Sequence, residues 1–594
     1  MASSLAAEAS AAAERRRWPG RSLWPAGLLA LALAAVPVLG NDFVAYQVAL
    51  FLVYGIATQA VALCWGRLGF LPLGHALFFG LGAYLAGGLA KAAVERPAGW
   101  LAIPLALLLP ALLAWVVARL IFARGLKSGP YFSLITLALT MLGFLAAQQW
   151  SEVTGGFNGL VAIPEPPGLE RYSTLFWLVA LATVLSTALL GTLARRPLGV
   201  LWQAIAQNEE RMQLLGYATD RMKADAFALS ALLAAAAGAL FAMHQGIVTP
   251  QAMGFVLSTE FVIWAAVGGK GSALGPLLGA VLIGYASTEL RERFAMWEVF
   301  VALIFIGVVR FLPEGLAGLA GWRARREWVA SAASRPAPPI TAARPVPSLE
   351  FENLRCEQGG VRILDGLSLR LQGPGIRAVI GPNGAGKTSA FNALTAGLPV
   401  TGGRIRVGDH DATGLSAWRV ARLGVARKMQ VPSIFAGLSV RENLAVALWA
   451  GRLRGLDALR REPFAWHTSL SDEMIACFPE LAQRLDVPAG RLAQGHRQAL
   501  ELAMTVLPQP RLLLLDEPCA GLSPAETQRM IEVIQRAVRE LGAAALLIEH
   551  DFAAVAALQG EVYVLHQGRL LAQGNLQALQ ADPAVRAVYA GARK

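Results

Sequence analysis

The chain has 594 residues, of which 55% are hydrophobic and only 15% charged, and it carries a net charge of +12. Ordinary soluble domains carry about 25% charged residues, so a single soluble globule is excluded and much of the chain must face lipid. The basic excess gathers at the N-terminus and between apolar runs, a positive-inside distribution and not a nucleic-acid surface, and the scattered Cys64, Cys356, Cys477 and Cys519 form neither a disulfide framework nor a zinc site.

Residues 1–22 are rich in Ala, Ser and Arg, with Arg15, Arg16, Arg17 and Arg21, and are expected to form a cytoplasmic tail. The apolar run from Leu23 to Gly40 reads as a signal anchor, because no small-x-small cleavage pattern follows it. Further spans are expected at about 43–64, 70–90, 100–121, 131–149, 172–194, 224–246, 256–269, 272–290 and 297–318, giving a polytopic α-helical membrane domain of about ten spans over 23–320. The run at 256–269 is short for a full crossing and reads as half-spanning or tilted. Ten crossings from a cytoplasmic start return the chain to the cytoplasm at Arg323, Arg325 and Arg326. The positive-inside rule also places Arg124, Lys127, Arg195, Arg196, Arg211, Arg221, Lys223, Arg291 and Arg293 inside. Strict alternation cannot satisfy all of them, so at least one span is miscounted.

Gly271, Gly275 and Gly279 recur at every fourth place, and Gly80, Gly82, Gly87 and Gly88 crowd a second run; both read as close helix packing. His75, Glu260 and Glu298 are ionisable groups at membrane depth, open both to a structural hydrogen bond and to a role in a solute path. The cytoplasmic loop 195–223 holds a short helical stretch, Leu201 to Glu210, followed by Leu214, Leu215, Gly216 and Tyr217. Residues 321–348 form a Pro/Ala linker without periodicity, leaving 349–594 as a second domain.

In that domain an apolar strand, Ile376 to Ile380 interrupted by Arg377, runs into Gly381-Pro382-Asn383-Gly384-Ala385-Gly386-Lys387-Thr388-Ser389. Strand, G-x-x-x-x-G-K-[ST] and helix start are the context of an α/β phosphate-binding loop. Its N–H groups would wrap a triphosphate, Lys387 would reach the β- and γ-phosphates, and Thr388 would hold Mg²⁺. Four leucines, Leu512 to Leu515, form a core strand delivering Asp516 to the metal and Glu517 to the attacking water. Gln430 lies between the two motifs and His550 follows at another strand end. Each alone is as well explained by a solvated polar residue; their order is not.

This set resembles the ATP-binding cassette of ABC transporters. The resemblance implies that Gln430 is the Q-loop glutamine, a metal and catalytic neighbour of Thr388 and Asp516, that His550 is the switch histidine, and that Glu517 is the catalytic carboxylate. The family's Leu-Ser-Gly-Gly-Gln signature corresponds to Leu492-Ala493-Gln494-Gly495-His496, and Ala520 to Pro524 fall at its D-loop. Ala493 replaces a serine that would bond the γ-phosphate, and Gln358 stands where the family stacks an aromatic ring on adenine. The stretches Gly424 to Phe435, Leu438 to Leu444 and Asp582 to Tyr589 are similar to the cassette of branched-chain amino acid importers. Leu73 to Gly80 and Val267 to Gly271 are similar to the permease of the same system, and Arg427 to Phe435 and Val262 to Val267 stand closer to urea and short-amide importers.

The resemblance implies a fused permease and ATPase in the bacterial inner membrane, with the cassette in the cytoplasm and the 195–223 loop as coupling segment. It implies as partners a second permease and ATP-binding subunit, or a second copy of the chain, and a periplasmic solute-binding protein; lipid surrounds it and no nucleic acid is expected. Membrane half followed by cassette is also the order of an exporter half, and Ala493 and Gln358 leave room for a nucleotide-binding regulator. The short, numerous spans and compact loop favour import.

Overall fold

The computed structural model describes residues 24–95, 98–123, 129–293, 296–319, 335–340 and 348–591. The tail arginines Arg15 to Arg17 and Arg21, the loop cations Arg124 and Lys127, the run Arg323 to Arg326 and most of the expected linker lie outside the described residues, as do the side chains of Arg291 and Glu298. Two compact units emerge. One takes the chain up to Ala206 and again from Asp220 to the helix Leu316–Leu319; the other takes Gln207–Thr219 and the described residues from Arg335 onward.

The first unit is all helix, because lipid offers backbone groups no partner and runs this apolar must close their hydrogen bonds internally. Among the described residues, six helices are long and apolar enough to cross a bilayer: Asp42–Arg67, His75–Ala93, Gly99–Phe122, Pro130–Gln149, Leu175–Ala194 and Thr219–Gln245. The other four expected spans form shorter helices: Pro25–Leu39, Phe255–Gly268, the apolar stretch Gly275–Thr288, and Trp297–Phe311. Helix ends follow local chemistry. Asn41 caps the second helix, its side chain accepting from the Val44 N–H at 2.9 Å, and the Gly99–Phe122 segment is interrupted at Leu107 between Pro104 and Pro110.

Small residues set the packing. A Cβ on Gly82 would collide with the Ala235 carbonyl and one on Gly238 with the Phe79 carbonyl, so the helices carrying them meet backbone to backbone. Gly275 and Gly279 make equally close approaches to Gly268 and Trp264, whereas Gly271 and Gly88 face open space. The buried Gln59 amide is paired on both sides: it donates to Thr187 Oγ1 at 2.8 Å and Ala273 O at 2.7 Å and accepts from Ser186 Oγ at 2.7 Å, joining three segments. His75, fully buried, sits 3.1 Å from Ser230 Oγ, and Glu260 is half-buried on Phe255–Gly268.

The second unit is α/β. Its main sheet runs in the order Arg569–Gly574, Glu561–His566, Gly375–Ile380, Ala544–Ile548, Leu512–Asp516 and Val425–Lys428, parallel except for the first pair. Leu512 to Leu515 are at most 1% exposed, as expected for a central strand flanked on both sides. A four-stranded antiparallel sheet (Val361–Gln372, Ser348–Gln358, Gly402–Val407, His410–Asp411) shares the core through Leu349, Phe351, Leu369 and Ile405. Helices of this unit include Val440–Trp449, Ser469–Cys477, Gln494–Val506 and the 18-residue Pro524–Leu541. Within the stretch expected to be linker, Arg335–Pro336 pairs in parallel with Trp466–His467.

Gln207–Thr219, though flanked by membrane helices in sequence, belongs to this unit. A helix of six residues, Glu209–Leu214, is too short to persist alone. It is held by neighbours: Asn208 donates to Ser433 Oγ at 2.9 Å, Tyr217 Oη to Val446 O at 2.8 Å, and the Gly437 N–H to Gln207 Oε1 at 2.6 Å.

Candidate nucleotide site

The strand Gly375–Ile380 becomes fully buried over its last three residues and then turns through Gly381 into the helix Lys387–Leu394. Gly386 caps that helix at φ 96°, and a Cβ there would stand 2.9 Å from Leu364 Cδ2. Gly384, at φ 81°, faces open space. The turn therefore needs glycine for conformation and leaves a cradle above its own N–H groups. Lys387 is 7% exposed and folds back over the loop, donating to Gly381 O at 2.8 Å and Pro382 O at 3.1 Å. Burial lowers its ammonium pKa, an effect the charges of Glu517 and Asp516 oppose.

One strand, Leu512–Asp516, next but one to Gly375–Ile380 in the sheet, brings both acids to this loop. Asp516 is fully buried, and Thr388 donates to its Oδ1 at 3.3 Å. Its Oδ2 receives no hydrogen bond from the described residues and has only the Arg427 guanidinium at 3.5 Å, without hydrogen-bond geometry. Burial raises the Asp516 carboxyl above its usual range, with Arg427 and Thr388 pulling the other way. Glu517 follows at φ 44°, a left-handed conformation costing about 1–2 kcal/mol, which turns its side chain out of the strand. Its two oxygens are both engaged: Gln430 Nε2 donates to Oε2 at 3.0 Å and His550 Nε2 lies 2.9 Å from Oε1. Phosphate loop, Thr388, Asp516, Glu517, Gln430 and His550 thus form one contact group drawn from four strand ends.

Both halves of the chain are similar to known proteins. Residues 43–309 match the family model described as the branched-chain amino acid transport system permease component, and residues 364–520 match the ABC transporter model. The branched-chain amino acid transport ATP-binding protein LivG of Escherichia coli (strain K12) is 36% identical over 252 residues, 41% of this chain and 98% of its own length. BraF of Pseudomonas aeruginosa, described in the same terms, is 35% identical over 255 residues, again 41% of this chain and 98% of its own.

The chain belongs to the ABC transporters.

It is a fused permease and ATPase of the branched-chain amino acid transport family, and it couples ATP hydrolysis to import. A solved nucleotide-free ATP-binding cassette from an ABC transporter aligns at 24% identity over 41% of this chain and 98% of that one, with a TM-score of 0.36. As a member of this family the transporter works in a complex with other subunits.

The residues present suit a nucleotide with a hard cation. The open cradle at Gly384 and the buried lysine suit phosphate, and a buried carboxylate oxygen lacking a donor beside a threonine hydroxyl is an oxygen donor set of the kind Mg²⁺ takes. The stretch Leu492 to His496 makes no hydrogen bond to this group among the described residues. Ala493 is the N-cap of Gln494–Val506 with no side-chain hydrogen bond. Gly495 packs toward Glu526 and Gly521 toward Gln494, while Arg484 NH1 lies 3.4 Å from His496 Nδ1. Leu492 is buried beneath the helix start. Gln358 is exposed at the end of its strand beside Gly359 and Gly360.

Sequence reasoning gave no site role to Arg427, Lys428, Glu501 or Arg211. All four residues of Val425–Lys428 are buried, two of them cationic. Lys428 Nζ faces Glu501 Oε2 at 3.6 Å, and Glu501 Oε1 accepts from the Met429 N–H at 3.0 Å. The available signal was two adjacent cations, Arg427 and Lys428, closing a strand that pairs along Leu512 to Leu515.

Proposed function

We propose that the transporter imports branched-chain (hydrophobic) amino acids across the bacterial inner membrane, with its ATPase unit in the cytoplasm and with substrate delivered by a periplasmic solute-binding protein. The relatives named for that transport support the substrate class, and the match of the membrane half to the corresponding permease model supports it independently. A second permease and ATP-binding subunit, or a second copy of this chain, completes the complex and presents its own signature to the phosphate loop here.

In this reading Gly381 to Ser389 bind the ATP phosphates, Lys387 releases the Gly381 and Pro382 carbonyls to do so, and Thr388 and Asp516 hold Mg²⁺. Bound there, Mg²⁺ neutralises charge on the β- and γ-phosphate oxygens. Glu517 orients the attacking water and accepts its proton; His550 and Gln430 fix the carboxylate and sense the γ-phosphate position. Leu492 to His496 serve the partner's nucleotide, with Ala493 supplying no hydroxyl, so that contact is weaker by roughly 1.5–3 kcal/mol. The observation carrying the reading is the double restraint on Glu517 beside the Thr388–Asp516 pair.

Uptake of labelled leucine and labelled urea into vesicles bearing the transporter, its partner subunits and a binding protein tests it. Leucine accumulation that needs ATP is expected; urea accumulation without leucine accumulation would move the substrate to short amides.

A further inference from the structure

Arg211 projects from the six-residue helix Glu209–Leu214 into the interior of the ATPase unit, where its side chain is 1% exposed. It donates through NH1 to the Arg427 carbonyl at 2.8 Å and through NH2 to Thr505 Oγ1 at 3.0 Å and the Glu501 carbonyl at 3.3 Å, with Glu501 Oε1 3.8 Å away. One guanidinium therefore bridges three elements: the 207–219 loop, the strand Val425–Lys428 and the helix Gln494–Val506.

What those contacts reach matters more than their number. Arg427, whose carbonyl is held by Arg211, pairs its own guanidinium with Asp516. Glu501 holds the N–H of Met429, the residue before Gln430, and Gln430 holds Glu517. The helix gripped at Glu501 and Thr505 begins at the signature stretch. A buried ion pair is a poor stabiliser compared with apolar packing, so a charged residue at this place points to register between elements and not to cohesion. Other contacts of the loop are neutral hydrogen bonds at Asn208, Tyr217 and Gln207, and one exposed contact in which Arg422 Nε donates to Gly216 O at 3.1 Å.

We propose that Arg211 is the positioning residue that couples the 207–219 loop to the nucleotide site, tying the strand that leads to Gln430 and the helix that follows the signature to one loop side chain. Displacement of either element on nucleotide binding is then felt by Arg211 and carried along the chain through Thr219 into Thr219–Gln245. This rests on the reading above that the loop transmits between ATPase and permease.

Hydrogen exchange on the full-length chain in nanodiscs, with and without a non-hydrolysable ATP analogue and Mg²⁺, tests the proposal. In the wild type, amides of 211–217 and 427–430 are expected to change protection together, by at least fivefold. In Arg211→Met, analogue affinity stays within threefold and 427–430 still respond, but the response of 211–217 is lost. Arg211→Lys keeps the charge but cannot span both Arg427 O and Thr505 Oγ1; its loop response is expected to fall at least twofold while 427–430 respond normally. Should Arg211→Met not fold, the lysine variant carries the test alone. An undiminished loop response in either folded variant overturns the role of Arg211. A wild-type loop that ignores bound analogue overturns the transmission reading itself, which is a separate result.

Discussion

Glu517 and His550 face one another across 2.9 Å at the ends of adjacent parallel strands, and Gln430 holds the second carboxylate oxygen at 3.0 Å. A carboxylate pinned from both sides has one direction left for a water. Glu517→Gln keeps the shape and removes the proton acceptor. It is expected to bind ATP within about threefold of wild type and to hydrolyse it 10²–10⁴-fold more slowly. Phosphate release measured against analogue binding checks this, and near-normal hydrolysis would remove Glu517 from the role.

Arg427 is the counter-charge of Asp516 inside the sheet. Arg427→Met leaves that carboxylate buried without it and is expected to destabilise the nucleotide-free protein by about 3 kcal/mol. The sign with pH follows from burial, which already raises the Asp516 carboxyl. A carboxyl raised in the folded state favours folding while protonated, and that contribution disappears as pH rises through its folded pKa. Denaturant titrations should therefore show a larger loss for Arg427→Met at pH 7.5 than at pH 5; an equal loss at both would refute the pairing.

Cys519 lies directly after the Asp516-Glu517-Pro518 turn, and its N–H donates to Glu549 Oε1 at 3.0 Å. Burial first, and the Glu549 carboxylate second, push its thiol up to about 12. In the native protein, alkylation of Cys519 by iodoacetamide is expected to be slow at pH 8, still rising above pH 10, and fast at pH 8 only in denaturant. Peptide mass spectrometry reads the rate directly. A native-state rate that levels off near pH 9 would contradict the half-buried placement beside Glu549.

Gly238 packs against the Phe79 carbonyl so closely that any side chain must push two membrane helices apart. Gly238→Val is expected to cost about 1–3 kcal/mol through overpacking and to lower the thermal midpoint in detergent. The same change at Gly88, which faces open space, should leave the midpoint within about 1 °C. Equal effects at the two positions would argue against the helix contact.

The phosphate loop was legible in the sequence because its glycines are demanded by local backbone geometry, which a short motif records in full. Asp516 and Glu517 were legible because four leucines announce a central strand. The membrane half was readable as apolar runs, but Phe255–Gly268 and Trp297–Phe311 are only 14 and 15 residues long, and hydropathy alone does not separate a short crossing from a packed helix. Arg211 looked like one more loop cation, since burial of a charge depends on partners 216 and 290 residues away. Likewise nothing in the Pro-rich stretch at Arg335–Pro336 announces its pairing with Trp466–His467, because two residues carry no period.

The central claim is that hydrolysis at Lys387 and Glu517 drives solute inward through the permease half of the same polypeptide. Uptake of labelled leucine into vesicles supplied with ATP, partner subunits and binding protein, run beside Lys387→Ala, measures it most directly. Accumulation in the wild type, with loss of both uptake and hydrolysis in Lys387→Ala, is the expected result. ATP hydrolysis with no accumulation of any amino acid or amide, or uptake undiminished by Lys387→Ala, would contradict it.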